Sequence, residues 1–147
     1  LYGGGDLNWS RIVPGTMRSA LRGERPVVRS DGTLLRDYFY VEDAVGAYLL
    51  LAESIEAKGL VGRAFNFGTG TPVKVLDIVT ETLKAVGRAD LQPIVEGKNA
   101  GEIPAQWLDC AAARKELGFR HRFDLAAGLR RTVDWYRAAL GAGASPG

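Results

Sequence analysis

Arginine is the side chain with most to offer chemically in this sequence. Six arginines fall in the first 36 residues: Arg11, Arg18, Arg22, Arg25, Arg29 and Arg36. Arg36 heads the aromatic stretch Asp37-Tyr38-Phe39-Tyr40, and a guanidinium held on a strand can make two parallel bonds to a phosphate. The plainer alternative is a surface ion pair with Asp31 or Asp37. Arg18, Arg22 and Arg25 lie on or just beyond an expected helix and read as solvated. Nucleophilic and metal chemistry is nearly absent. The single histidine, His121, sits between Arg120 and Arg122 and reads as an exposed loop residue. Cys110 follows a helix cap, a place that can lower a thiol pKa, but a buried structural cysteine is the favoured reading. One cysteine can form neither an internal disulfide nor a cysteine zinc site. Gly3-Gly4-Gly5 is not a dinucleotide fingerprint. Gly68-Thr69-Gly70 lacks the third glycine and the acidic residue roughly 20 positions on, so it reads as a strand-to-helix turn. Asn66 lies between Phe65 and Phe67, and a buried amide there needs backbone or a ligand as partner.

The elements that must position these groups follow from apolar spacing and punctuation. Residues 12–21 read as a helix, with Pro14 in its first turn and Gly23 beyond its end. Residues 26–29 and 34–41 read as two strands of a hairpin around Ser30-Asp31-Gly32. Residues 42–57 read as a long helix with Val45, Tyr48, Leu49, Ala52 and Ile55 on one face, widened by Leu50 and Leu51, a stripe wide enough to imply burial on more than one side. Residues 64–67 read as a short strand, apolar on both faces as in a parallel sheet. Its expected neighbours are not evident in this chain. Helices follow over 73–86, over 111–117 after Asp109, and from Asp124 to about 140, with short strands near 91–95 and 106–108. Residues 141–147 read as a flexible tail.

The chain has 147 residues, 46% hydrophobic and 24% charged, with a net charge of +2. That is one ordinary globular domain in size and excludes wholesale disorder. The balanced charge gives no argument for nucleic acid. No apolar run approaches the roughly 20 residues that span a bilayer, and a cytoplasmic setting is the default.

Six segments, taken in order, resemble the NAD-dependent nucleotide-sugar epimerases and dehydratases, which are extended short-chain dehydrogenase/reductases. Arg36-Asp37-Tyr38-Phe39-Tyr40-Val41-Glu42-Asp43 is similar to their RDxxYVxD segment. Tyr2-Gly3-Gly4-Gly5-Asp6 resembles YGPGD, and Arg11-Ile12-Val13-Pro14 resembles RLIP. Phe65-Asn66-Phe67-Gly68 resembles YNxG. Leu108-Asp109 with Ala113, Leu117 and Gly118 resembles LDxSKAxxxLGW, and Gly128-Leu129, Thr132 and Trp135-Tyr136 resemble the closing GLxxTxxWY. Within the family, Gly101-Glu102-Ile103 resembles the CDP-glucose 4,6-dehydratases most.

The resemblance implies an α/β fold: the C-terminal, substrate-binding part of an extended Rossmann-type fold, over 1–140 and with one late Rossmann strand near 64–67. It implies that Arg11 and Arg36 bind a nucleotide diphosphate and that Asn66 faces the nucleotide. It puts Val27 in the base pocket, Arg29 where a relative stacks an aromatic on the base, and Glu102 in the same site. Asn99 stands where several relatives carry a phosphate-binding arginine, and Lys74 replaces a frequent Ser/Thr helix cap. Phe119 and His121 replace a Trp and a Pro, changes that read as structural. The family's G-x-x-G-x-x-G loop for NAD and its Tyr-x-x-x-Lys pair do not occur in these residues. By the resemblance they lie upstream of Leu1, in a Rossmann half that would be this chain's partner. There the tyrosine would take a proton from the sugar 4-hydroxyl as hydride passes to NAD. A dehydratase then eliminates water across C5–C6, and an epimerase returns hydride to C4.

The reading is therefore a nucleotide-sugar-binding portion, inactive alone and binding no NAD by itself. The alternatives are a 4-epimerase portion, a non-catalytic binding module, or an interaction domain. With the Rossmann half gone, the helix at 43–57 and the strand at 65–67 are expected to expose apolar patches, and association between copies is a remedy.

Overall fold

The architecture is taken from a computed structural model, which describes residues 1–98 and 101–141. Asn99 and most of the tail named above lie outside those residues.

Three helices build the main core. α1 (Ile12–Leu21) buries Val13, Met17 and Ala20, a stripe at helical spacing. α3 (Val75–Val86) buries Val75, Ile78, Val79, Leu83 and Val86, and packs on α1 and α4 (Leu125–Gly141). From α4 come Leu129, Val133 and Tyr136, each almost fully buried. Two of the threonine hydroxyls that enter this core are satisfied locally. Thr82 Oγ1 donates to the Ile78 carbonyl and Thr132 Oγ1 to the Gly128 carbonyl, both at 2.7 Å. α3 starts at Lys74 with no side-chain cap, as the missing Ser/Thr implies. It ends on Gly87, whose φ of 82° suits a residue without Cβ. Arg137 donates to the Val86 carbonyl at 3.0 Å, so α4 helps to close the end of α3.

The strands are two residues each. β1 (Val27–Val28) pairs in parallel with β4 (Ile94–Val95). β2 (Leu35–Arg36) lies between β3 (Val73–Lys74), antiparallel, and β5 (Ala105–Gln106), parallel. The expected hairpin does not form. Ser30 Oγ accepts from Gly32 N at 3.2 Å, and Asp31 accepts from Thr33 N at 2.8 Å. These tight side-chain turns send the chain to a different sheet instead of back along β1. Arg25, expected to be solvated, donates to the carbonyls of Gln92 at 2.7 Å and Pro93 at 3.3 Å, bracing the approach to β4. The stretch 34–41 pairs only over β2 and through an isolated bridge from Tyr40 to Tyr2. Residues 64–67 pair with no strand among the described residues. Phe65 and Phe67 pack instead beside a second, smaller core.

That second core belongs to α2 (Val41–Ser54) and the helical turn ending in Ala113–Leu117. It holds Phe39, Ala44, Ala47, Leu60, Leu117 and Phe119. Phe119 meets Phe39 and Phe67 edge-on, with ring centroids 6.0 and 5.0 Å apart. α2 turns a narrow face inward. Val45, Tyr48 and Leu49 are 53%, 73% and 58% exposed. The stripe read as buried is therefore an outer surface, as the expectation of an uncovered apolar patch requires.

Candidate functional site

A cleft of about 460 Å³ lies against α1, β1 and β2. The sequence places its parts simply. Arg11 precedes α1, Val27 opens β1, Arg29 follows it, and Arg36 closes β2. Glu102 arrives on the segment before β5, which pairs with β2. Five of the six expected site residues, Arg11, Val27, Arg29, Arg36 and Glu102, thus line one cleft. Asn66 does not. It is exposed, and its Nδ2 donates to the Asp109 carbonyl at 3.2 Å. The strand expected to bury that amide has no ladder.

Charge in the cleft is unbalanced. Four arginines (Arg11, Arg18, Arg29, Arg36) face two carboxylates, Glu24 and Glu102. Arg36 is the most firmly held. One of its terminal nitrogens donates to the carbonyls of Leu35 and Ile103, each at 2.8 Å. The other meets Glu102 Oε2 at 3.2 Å. Its ion-pair partner is therefore Glu102, not the neighbouring Asp31 or Asp37 considered from sequence. Arg11 pairs with Asp6 at 2.9 Å. Partial burial of Asp6 disfavours its charge, but the Asn8 N–H and Arg11 outweigh this and hold its carboxyl below the usual range. The side chain of Arg29 forms no hydrogen bond or ion pair with the described residues. Tyr38 stands beside Arg36. Burial pushes its phenol up to about 12 against the pull of that guanidinium, so it is a neutral hydrogen-bonding group at ordinary pH.

Sequence reasoning missed Trp9, Thr16, Arg18 and Tyr38 as cleft residues. The Arg18 guanidinium stacks 5.3 Å from the Trp9 ring centroid, which removes it from the solvated set. The spacing Ile12, Thr16, Ser19 on one helix face was available as a signal. What it faces was not.

The acidic residues of the Arg36–Asp43 segment act as brackets. Asp37 accepts from Gly70 N at 2.9 Å, from Thr69 N at 3.2 Å and from the Thr69 hydroxyl. A Cβ on Gly68 would stand 2.5 Å from Asp37 Oδ2. The amides of Thr69 and Gly70 are thus committed to a side-chain carboxylate, which agrees with a structural turn and leaves them no phosphate to bind. Asp43, 3% exposed, accepts from Arg122 N at 2.8 Å and Phe123 N at 3.2 Å, tying α2 to the loop before α4. Gly4 is similarly structural, since a Cβ there would stand 2.4 Å from the Trp135 ring. Cys110 is buried, and burial raises its thiol, the state of an inert cysteine. His121 is exposed, as expected. Among the described residues no three His, Cys, Asp or Glu side chains are grouped to hold a metal, and no helix is long and apolar enough to cross a membrane.

Known proteins bear directly on this arrangement. Residues 1–68 match the model of the NAD dependent epimerase/dehydratase family. The dTDP-glucose 4,6-dehydratase of Streptomyces antibioticus is 34% identical over 129 residues, which are 86% of this chain and 37% of that protein. The CDP-glucose 4,6-dehydratase of Salmonella typhimurium is 25% identical over 141 residues, 94% of this chain and 39% of that one. The crystal structure of a UDP-glucose 4-epimerase from Thermotoga maritima with UDP-glucose superposes with a TM-score of 0.80 at 29% identity, covering 95% of this chain and 44% of that one. The chain thus spans well under half the length of these relatives. The α/β fold is that of Rossmann-like epimerase/dehydratase structures. Sequence and fold together support one family for this chain, the NAD dependent epimerases and dehydratases.

Proposed function

We propose that this chain is the nucleotide-sugar-binding portion of a nucleotide-sugar 4,6-dehydratase. Its cleft takes the nucleoside diphosphate end of the substrate. The observation that carries this is the cleft itself, four arginines against two carboxylates, with Arg36 fixed on β2 by two carbonyls and Glu102. A diphosphate would replace Glu102 on the outer edge of Arg36 while the carbonyls keep the guanidinium in place, and Arg11 would add charge from the start of α1. Arg29 would lie against the base, with Val27 beside it.

NAD does not fit the residues present. The chain holds neither a G-x-x-G-x-x-G loop nor a tyrosine followed four positions later by lysine. We assign no hydride step to these residues, and we expect no turnover by this chain alone. Its work is to bind and orient, the positioning part of catalysis. A Rossmann half would supply NAD and the proton-transfer groups, in a cytoplasmic setting. Asn66, outside the cleft formed by these residues, is proposed to face the nucleotide in the site that the Rossmann half would complete. The Thermotoga maritima enzyme with UDP-glucose supports a 4-epimerase as the second reading. Similarity to both dTDP- and CDP-glucose dehydratases leaves Gly101-Glu102-Ile103 as the reason for preferring CDP-glucose.

Calorimetric titration with UDP, CDP and dTDP tests the proposal. The expected result is weak nucleoside diphosphate binding and no NAD binding. Arg36→Ala should abolish the nucleotide signal, and Glu102→Gln should strengthen it several-fold by releasing the Arg36 edge. Stoichiometric NAD binding, or nucleotide binding indifferent to Arg36, would overturn it.

A further inference from the structure

We propose that the Thr16 hydroxyl is a hydrogen-bonding contact to the nucleoside half of a nucleoside diphosphate held in the arginine-lined cleft, an inference that rests on the function proposed above. Three threonines are buried in the helices of this fold: Thr16, Thr82 and Thr132. They are treated differently. Thr82 and Thr132 each donate to the carbonyl one turn back, at 2.7 Å. Thr16 is 2% exposed. Its Oγ1 is the one buried side-chain polar atom without a partner among the described residues. A buried hydroxyl left unsatisfied is costly, and the backbone bond that relieves its two counterparts is open to any helical threonine. The exception stands in the wall of the cleft.

Position indicates which half of the ligand it meets. Thr16 shares its helix face with Ile12 and Ser19, and all three line the cleft. The firmly placed cation, Arg36, is on β2 and carries Glu102 as its anionic partner. Arg11 stands before the first turn of α1, more than a turn from Thr16. A phosphate is drawn to those guanidinium groups. A neutral hydroxyl that both donates and accepts suits the edge of a base or a ribose hydroxyl instead. Val27 and Arg29, the side chains proposed to flank the base, line the same cleft.

The test is calorimetric titration of the wild-type chain, Thr16→Val, Thr16→Ala and Thr16→Ser with the tightest-bound of UDP, CDP and dTDP, together with thermal melts. Thr16→Val keeps the side-chain shape and removes only hydrogen bonding. It should weaken binding by about three- to tenfold, the worth of one ordinary hydrogen bond, with a melting temperature no lower than wild type. Thr16→Ala should lose at least as much affinity, and Thr16→Ser should keep near wild-type binding. Unchanged affinity in Thr16→Val overturns the inference while leaving the nucleotide reading in place. So does a lower melting temperature with unchanged affinity, which would show that the hydroxyl already has a partner in the free fold. Absence of nucleotide binding by the wild type overturns the nucleotide reading itself, and this inference with it.

Discussion

The two hydrophobic clusters differ in how completely they are enclosed. The larger is held between α1, α3 and α4, and its central side chains, Met17, Ile78, Val79 and Leu129, have no exposure at all. The smaller packs Phe39, Ala47, Leu117 and Phe119 against one side of α2, while Val45, Tyr48 and Leu49 face outward from the same helix. The arginine-lined cleft is mounted on the first cluster through α1 and β1. A binding surface needs a rigid support, and the enclosed core supplies it. The open cluster supplies a surface instead, of the kind that marks an interaction face.

The sharpest way to break this contrast is to delete core volume on each side. Ile78→Ala should lower the unfolding free energy by roughly 2–5 kcal/mol, because its neighbours cannot collapse into the void. Leu60→Ala, at the open cluster, should fall at the low end of that range or below. Equal losses in chemical denaturation would show that the two cores are equally tight. Next is the bracket between them. Asp43→Asn leaves one of the amides of Arg122 and Phe123 facing an amide donor, and should cost about 1–3 kcal/mol. A loss below about 0.5 kcal/mol in the same assay would mean that the loop before α4 does not depend on it. Replacing both Tyr48 and Leu49 by serine on the outer face should change stability by no more than about 0.5 kcal/mol. It should also reduce concentration-dependent association in sedimentation, and persistent association would place the sticky surface elsewhere. The smallest effect belongs to Asp6. Its folded-state pKa lies below the ordinary value, so its stabilisation is present above the unfolded pKa and lost as pH falls through the folded one. Asp6→Asn should flatten the acid side of a stability-against-pH curve by lowering stability slightly at neutral pH, with variant and wild type converging at low pH. An identical acid limb would remove Asp6 from that role.

Much of the site was legible because local rules carry it. Arg36 at the head of an aromatic strand can be picked out by type and neighbours, Arg11 by its place in a segment that resembles the relatives' RLIP, and both line the cleft. Glu102 and Val27 came from resemblance to relatives, and they line it too. Asn66 lies outside the cleft because residues 64–67, apolar though they are, pair with no other described strand, and a strand buries its amides only if other strands flank it. Thr16 escaped notice because a threonine in a helix looks ordinary until its hydroxyl is seen to lack the usual back-bond.

The sequence by itself determined the helices, whose signals are local: apolar spacing for α1 and α3, Gly87 as a stop, and Asp124 as a cap that accepts from Ala127 N at 2.7 Å. It also determined the chemistry on offer, many guanidinium groups and almost no nucleophile. Only the tertiary structure decided the pairing of two-residue strands, which are too short to specify their own register. It alone decided that β1 joins β4 rather than β2. It alone separated Arg36, poised on Glu102 in a cleft, from Arg25, spent on backbone carbonyls. A guanidinium is the same group in both places. What it can bind depends on which partners the rest of the chain has already brought to it.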